Sequence, residues 1–157
     1  MLKIDIGGGT TPRPGFVNID PIHGVTPFQF RIQDWLADCH YDIVGLNSVD
    51  EAYSSHCFEH IPAGMERIRA FNNVWDMLKP WAAFTIIVPI VINRSGRVFP
   101  QAFADPTHVS YWCAESFDYF CKPIAAADYG IRYWEKLSYR ELGYEAECVL
   151  RKRADHV

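Results

Sequence analysis

The stretch KIDIGGGTTPRPGFVNID, residues 3–20, constrains this chain more than any other. LKIDI (2–6) reads as a short buried strand stopping at Gly7, and FVNID (16–20) reads as a second strand. Between them lie Gly7, Gly8 and Gly9, then Pro12 and Pro14, which make a connecting helix a poor prospect. A parallel pairing of the two strands would therefore have a crossover shorter than the usual helical one. Glycines at a strand end let backbone pass close to a ligand and reach positive φ. Asp20 closes the second strand eleven residues after Gly9. A carboxylate there suits two adjacent hydroxyl donors. A dinucleotide fingerprint places its acid about 20 residues on and offers a helix N-terminus to the pyrophosphate; neither condition is met.

The rest of the chain fits an open α/β sheet. FQFRIQDWL (28–36) alternates like a strand and carries Asp34 after its strand-like part. VDEAYSS reads as a strand leading into a loop, and HCFEHI as a helical turn. Residues 64–79 are the clearest helix, with Met65, Ile68, Phe71, Trp75 and Leu78 on one face and Pro80 as its stop. AFTIIVPIVI (83–92) reads as a central strand ending near Pro89. CAESFDYFC (113–121) reads as a short helix, with Phe117, Phe120 and Cys121 facing inward. IRYWEKLSY and EAECVLRKR close the chain as an antiparallel pair turned by Gly143. Sheets of this kind bind ligands at the carboxyl ends of their strands, where Asp5–Gly9, Asp20, Asp34, Ser54–His60 and Pro89 all fall.

The totals exclude several classes. With 157 residues, 49% of them hydrophobic, the chain is sized for a single domain, 1–157, with one sizeable core. A formal charge of -4 gives no nucleic-acid footprint, and no apolar run is long enough to span a bilayer. The five cysteines, at 39, 57, 113, 121 and 148, form no CxxC pair, and the glycine-rich start is unlike a signal peptide. The expectation is a reducing, cytoplasmic protein with ordinary thiols.

Taken in order, DIGGG (5–9), GFVNID (15–20), SHCFEHI (55–61), LKP (78–80), FTIIVP (84–89) and ADPTHVSYWCAESFDYF (104–120) resemble the class I S-adenosylmethionine-dependent methyltransferases. The likeness is to a small bacterial and phage group, over roughly residues 3–121. It implies a Rossmann-like fold, mostly parallel with an antiparallel C-terminal strand, and a shortened first crossover. It also implies S-adenosyl-L-methionine as cofactor. On this resemblance Gly7, Gly8 and Gly9 border the methionyl and ribose portion, and Asp5 accepts from the ammonium. Asp20 takes the ribose hydroxyls, Asp34 with Gln33 reads the adenine, and Ser54 lies at the same strand ends. One departure stands out: LKPWAA occupies the place of the group's Leu-Lys-Pro-Gly-Gly, so Trp81 replaces a glycine.

His56 and His108 are the candidate bases for a methyl acceptor, because histidine titrates near neutrality. The expected acceptor is a small molecule or saccharide-like hydroxyl. Arg94, Arg97, Phe99, Phe103, Tyr111 and Trp112 are suited to a sugar or an anionic group. His56, Glu59 and His60 also spell H-x-x-E-H, a zinc-protease pattern. That reading lacks a third protein ligand and gives way to the methyltransferase one, with no metal expected. An inactive binding or scaffold protein is the main alternative. The density of aromatics leads to the expectation of a homodimer.

Overall fold

The computed structural model describes residues 1–24, 28–35 and 43–154, with nothing said of the side chains of residues 125 and 126. Its core element is a six-stranded sheet in the order β2-β1-β3-β4-β6-β5. The strands are β1 (Lys3–Ile6), β2 (Val17–Ile19), β3 (Val49–Ser55), β4 (Leu78–Pro89), β5 (Trp134–Leu142) and β6 (Glu145–Lys152). β1 runs parallel to β2 and β3, and β3 parallel to β4. β6 is antiparallel to both β4 and β5, so it alone reverses direction. Ile4 pairs with Val17 across a crossover that contains no helix, as the two prolines require.

Register divides the sheet into two unlike faces. Ile4, Ala52, Phe84 and Leu150 share one row, and Ile6, Ser54, Ile86 and Cys148 another. All of these are buried. They pack beneath helix α1 (Met65–Met77), whose inward residues include Ala70, Phe71, Val74 and Trp75. Phe71 stacks on Phe120 at 3.9 Å between ring centroids and meets Phe58 edge-on at 5.2 Å. The opposite face carries the row Lys3, Glu51, Ala83, Arg151 and Glu135, paired in alternating charge. The missing crossover helix leaves this face to the loop from Gly7 to Phe16, whose Arg13 lies over the Tyr53 ring at 4.4 Å.

Three expectations need correction. Residues 28–35 form no strand; a 3-10 turn spans Ile32–Asp34 instead. Phe30, Ile32 and Trp35 are buried, and the carbonyls of Ile32 and Trp35 accept hydrogen bonds from the Asn73 side-chain amide at 2.8 and 3.1 Å. Those two carbonyls thus find their partner in α1, while the Phe28 carbonyl accepts from the Asp20 amide at 3.2 Å, just past β2. Pro80 does not stop the helix either. α1 ends at Met77, and Leu78 is already the first residue of β4, with no loop between. Pro80 lies in a bulge, where the two steps from Val49 to Glu51 face the five from Leu78 to Ala83. Met65, expected inward, is exposed.

Three short helices complete the described chain: α2 (Gln101–Ala104), α3 (Ala114–Phe120) and α4 (Pro123–Tyr129). Phe117 and Phe120 are buried as expected, while Cys121 is half-buried. Gly143, at φ +75°, turns the β5–β6 hairpin. No helix among the described residues is long and apolar enough to cross a membrane. Cys57, Cys113, Cys121 and Cys148 are free thiols; Cys39 lies outside the described residues.

Candidate cofactor site

The glycine turn and Asp20 meet. The Gly9 amide donates to Asp20 Oδ2 at 3.3 Å, and the Ile22 and His23 amides donate to Oδ1 at 2.8 and 2.7 Å. Burial pushes the Asp20 carboxyl up, but the His23, Ile22 and Gly9 amides outweigh it and hold the group below its ordinary value. Asn18 braces the same turn, accepting from the Gly8 amide and donating to the Gly9 carbonyl, each at 3.0 Å.

A cavity of about 140 Å³ opens at the carboxyl ends of β1, β2 and β3. Gly7, Ile19, Pro21, Gln33, Cys57 and His60 are among the residues that line it. Gly7 is required twice over: its φ is +75°, and a Cβ there would stand 2.5 Å from both Cβ and Sγ of Cys57. Burial pushes the Cys57 thiol up to about 12, so it stays protonated. A second, polar cavity of about 360 Å³ lies on the other side of the turn, lined by Asp5, Gly7, Gly8, Thr11, Arg13, Tyr53 and Ser55. Asp5 is buried there; its Oδ2 accepts from the Arg13 amide at 2.7 Å, and burial raises its pKa. Gly7 borders both spaces.

Other nominated residues fall elsewhere. Asp34 is exposed and ion-paired with Arg31 at 2.5 Å; its neighbour Gln33, 6% exposed, is the residue that lines the cavity. Residues 36–39, which follow in the WLADC segment, lie outside the described residues. Ser54 is buried, and its hydroxyl donates to the Ile6 carbonyl at 2.9 Å, latching β3 to β1. His56 has φ +53° and stands between two carboxylates, 3.3 Å from Glu59 and 3.2 Å from Glu145. Contact with the Glu59 carboxylate is the largest cause of its raised pKa, which favours the imidazolium. His108 reaches the Ala102 carbonyl through Nδ1 at 2.9 Å and packs on His60, with ring centroids 5.0 Å apart.

The loop aromatics and arginines named from the sequence mostly satisfy one another. Arg94 lies over Tyr139 and Arg97 over Phe99. The larger space, about 600 Å³, is a groove between the first turns of α1 and helices α3 and α4. Its lining includes Gly64, Arg67, Ile68, Tyr119, Phe120 and Tyr129. Arg67 lies over the buried Trp112 ring at 4.3 Å, and its Nε is buried without a hydrogen-bond partner. In the sequence Arg67 carries no mark of a site and reads as the polar side of a helix.

No family model matches the sequence, and no curated protein matches it. Solved structures do. A Haloferax volcanii complex pairs the Trm112 methyltransferase activator with a protein described as a methyltransferase. It matches with a TM-score of 0.64 and 11% identity, over 99% of this chain and 83% of that one. The 1,6-didemethyltoxoflavin-N1-methyltransferase of Burkholderia thailandensis, solved with S-adenosylhomocysteine and its 1,6-didemethyltoxoflavin bound, matches with a TM-score of 0.60. Identity is 12%, over 97% of this chain and 71% of that one. The cyclase SpnF matches with a TM-score of 0.56 and 13% identity, over 96% of this chain and 74% of that one. The fold is that of the class I S-adenosylmethionine-dependent methyltransferases. A cyclase with the same fold means that the reaction must be argued from the site.

Proposed function

We propose that this chain binds S-adenosyl-L-methionine across the glycine turn and transfers its methyl group to the hydroxyl oxygen of a small, saccharide-like acceptor. The observation that carries the reading is the 3.3 Å approach of the Gly9 amide to Asp20 beside a cavity at the strand ends. Ligand sites of this kind usually occupy about 300–1,000 Å³. The 140 Å³ cavity is too small alone, whereas the two spaces that share Gly7 suit a nucleoside joined to an amino acid. Gln33 faces the adenine, Asp20 the ribose, and Asp5 the ammonium. A carboxylate offers about four lone-pair sites, and the long Gly9 contact is the one a ribose hydroxyl most readily replaces.

The sulfonium supplies the reactive methyl group, and the protein contributes alignment and charge. His56, favoured as a cation, contributes charge rather than proton abstraction. His108 carries its Nδ1 proton toward the Ala102 carbonyl and keeps Nε2 as a proton acceptor. The groove beginning at Gly64, close in sequence to the cavity residue Ile61, is the acceptor's space. In this reading the chain works as one domain, and its exposed Ile22, Phe103 and Ile124 leave apolar surface for a homodimer. Light scattering that reads the mass of one chain would set the dimer aside.

Calorimetry tests the central claim. S-adenosylmethionine is expected to bind with a micromolar dissociation constant, weakened at least tenfold (about 1.4 kcal/mol) by Asp20→Ala. No binding at millimolar cofactor would leave the inactive scaffold as the better description.

A further inference from the structure

We propose that Glu59, His60 and His108 bind one divalent transition-metal ion at the rim of the cofactor cavity. The inference refines the reading above, since His60 lines that cavity. One ligand atom from each of the three residues lies within 4.8 Å of the others. Small side-chain rotations bring such a set to the roughly 2.0–2.2 Å at which imidazole nitrogen and carboxylate oxygen hold zinc.

Three further observations separate this cluster from a chance grouping. Glu59 is 1% exposed, and among the described residues neither of its carboxylate oxygens has a hydrogen-bond partner. A buried carboxylate is costly unless its oxygens are met by partners. His56 forms an ion pair 3.3 Å from Oε1, which leaves Oε2 without a hydrogen bond among the described residues. Second, both histidines are held by the same device. His60 Nδ1 lies 3.1 Å from the Thr107 carbonyl, and His108 Nδ1 lies 2.9 Å from the Ala102 carbonyl. A carbonyl only accepts, so Nδ1 carries the proton in each neutral ring and leaves the lone pair on Nε2, which in His108 lies 3.7 Å from Asp105 Oδ2. Metal-binding histidines are oriented in this way. Third, the two segments are already fastened together. The Glu59 carbonyl accepts from the Val109 and Ser110 amides at 2.9 and 3.0 Å, and the Ser110 hydroxyl donates to the Phe58 carbonyl at 2.9 Å. The site needs little ordering on binding.

Two imidazoles, one carboxylate and no thiolate suit borderline ions such as zinc, cobalt or nickel rather than calcium. Three protein ligands leave at least one position open for water or an acceptor oxygen. His108 Nε2 is then a ligand and not a base, and the ion itself lowers the pKa of whatever hydroxyl it holds.

The test uses the full chain, stripped with chelator and free of cofactor. Titration with Co²⁺ followed by visible absorption, and with Zn²⁺ by calorimetry, is expected to show one equivalent bound. Glu59→Gln and His108→Ala are each expected to weaken binding by at least tenfold, with circular dichroism confirming that the variants fold. Should one variant fail to fold, the other carries the comparison. Absence of a stoichiometric site, or binding that a folded variant retains in full, would overturn the proposal and leave a buried polar cluster satisfied by water. A protein that binds S-adenosylmethionine but no metal sinks this inference alone. One that binds metal but no S-adenosylmethionine sinks only the cofactor reading.

Discussion

Gly7 shows how narrowly a single position in this site is set. Alanine there would have to hold φ near +75° and place its methyl group against the Cys57 side chain. Strain of this kind costs about 1–3 kcal/mol before any clash is counted. Gly7→Ala is therefore expected to lower the urea midpoint by at least that equivalent and to weaken cofactor binding. An unchanged midpoint would mean that the turn is looser than drawn. The meeting of the glycine turn with Asp20 was legible in the sequence because both sit at the ends of neighbouring strands. Gln33 and Asp34 were harder, since adjacent residues in a 3-10 turn diverge and no period says which one faces a cavity. His60 and His108 meet through loop contacts of long sequence separation, which spacing cannot reveal. The short H-x-x-E-H pattern showed two of that cluster's three members, Glu59 and His60.

The clearest feature among the elements is the direct passage from α1 to β4. Its cost falls on Trp81, which takes φ +67° in the bulge that follows. Glycine adopts that backbone conformation without strain, and this chain places a tryptophan in it. The exposed indole recovers part of the cost by lying 5.2 Å beneath the Arg151 guanidinium. Glycine is ordinarily worse than alanine inside a strand by about 0.5–1 kcal/mol. At this site the order is expected to invert, with Trp81→Gly more stable than Trp81→Ala by about 1 kcal/mol. Thermal unfolding of the two variants checks this, and alanine proving the more stable would remove the strain argument. The helix and the buried strand were legible from their periods, whereas the boundary between them was not. Pro80 looked like a stop signal because a bulge that accepts proline cannot be seen without the partner strand.

For the whole molecule, proton inventory sets the alkaline limit of stability. Burial pushes Cys57 and Cys148 up to about 12 and Cys121 to about 11, against about 9 for a free thiol. Their contribution is complete below pH 9 and is lost as pH rises through the folded values, because the folded state then binds more protons than the unfolded one. Lys152 acts oppositely. Burial lowers it from 10.5 to about 8, so raising the pH from 8 to 10.5 relieves the cost of its charge. The thiols outnumber it, and the urea midpoint under reducing conditions is expected to fall between pH 9 and 10.5. A rising midpoint there would refute the balance. The mostly parallel sheet was legible as a whole because its buried runs, glycine turn and closing hairpin each have local signals. The thin cover of the second face was legible in part: Pro12 and Pro14 rule out a helix between β1 and β2, but not how Arg13 would come to lie over Tyr53 in its place. The α1–β4 fusion has one more consequence, for motion. A helix joined to a central strand without slack cannot swing from that end. If the groove beside α1 widens to admit a guest, the pivot must be Gly64, which sits at φ +85° with open space where a side chain would be.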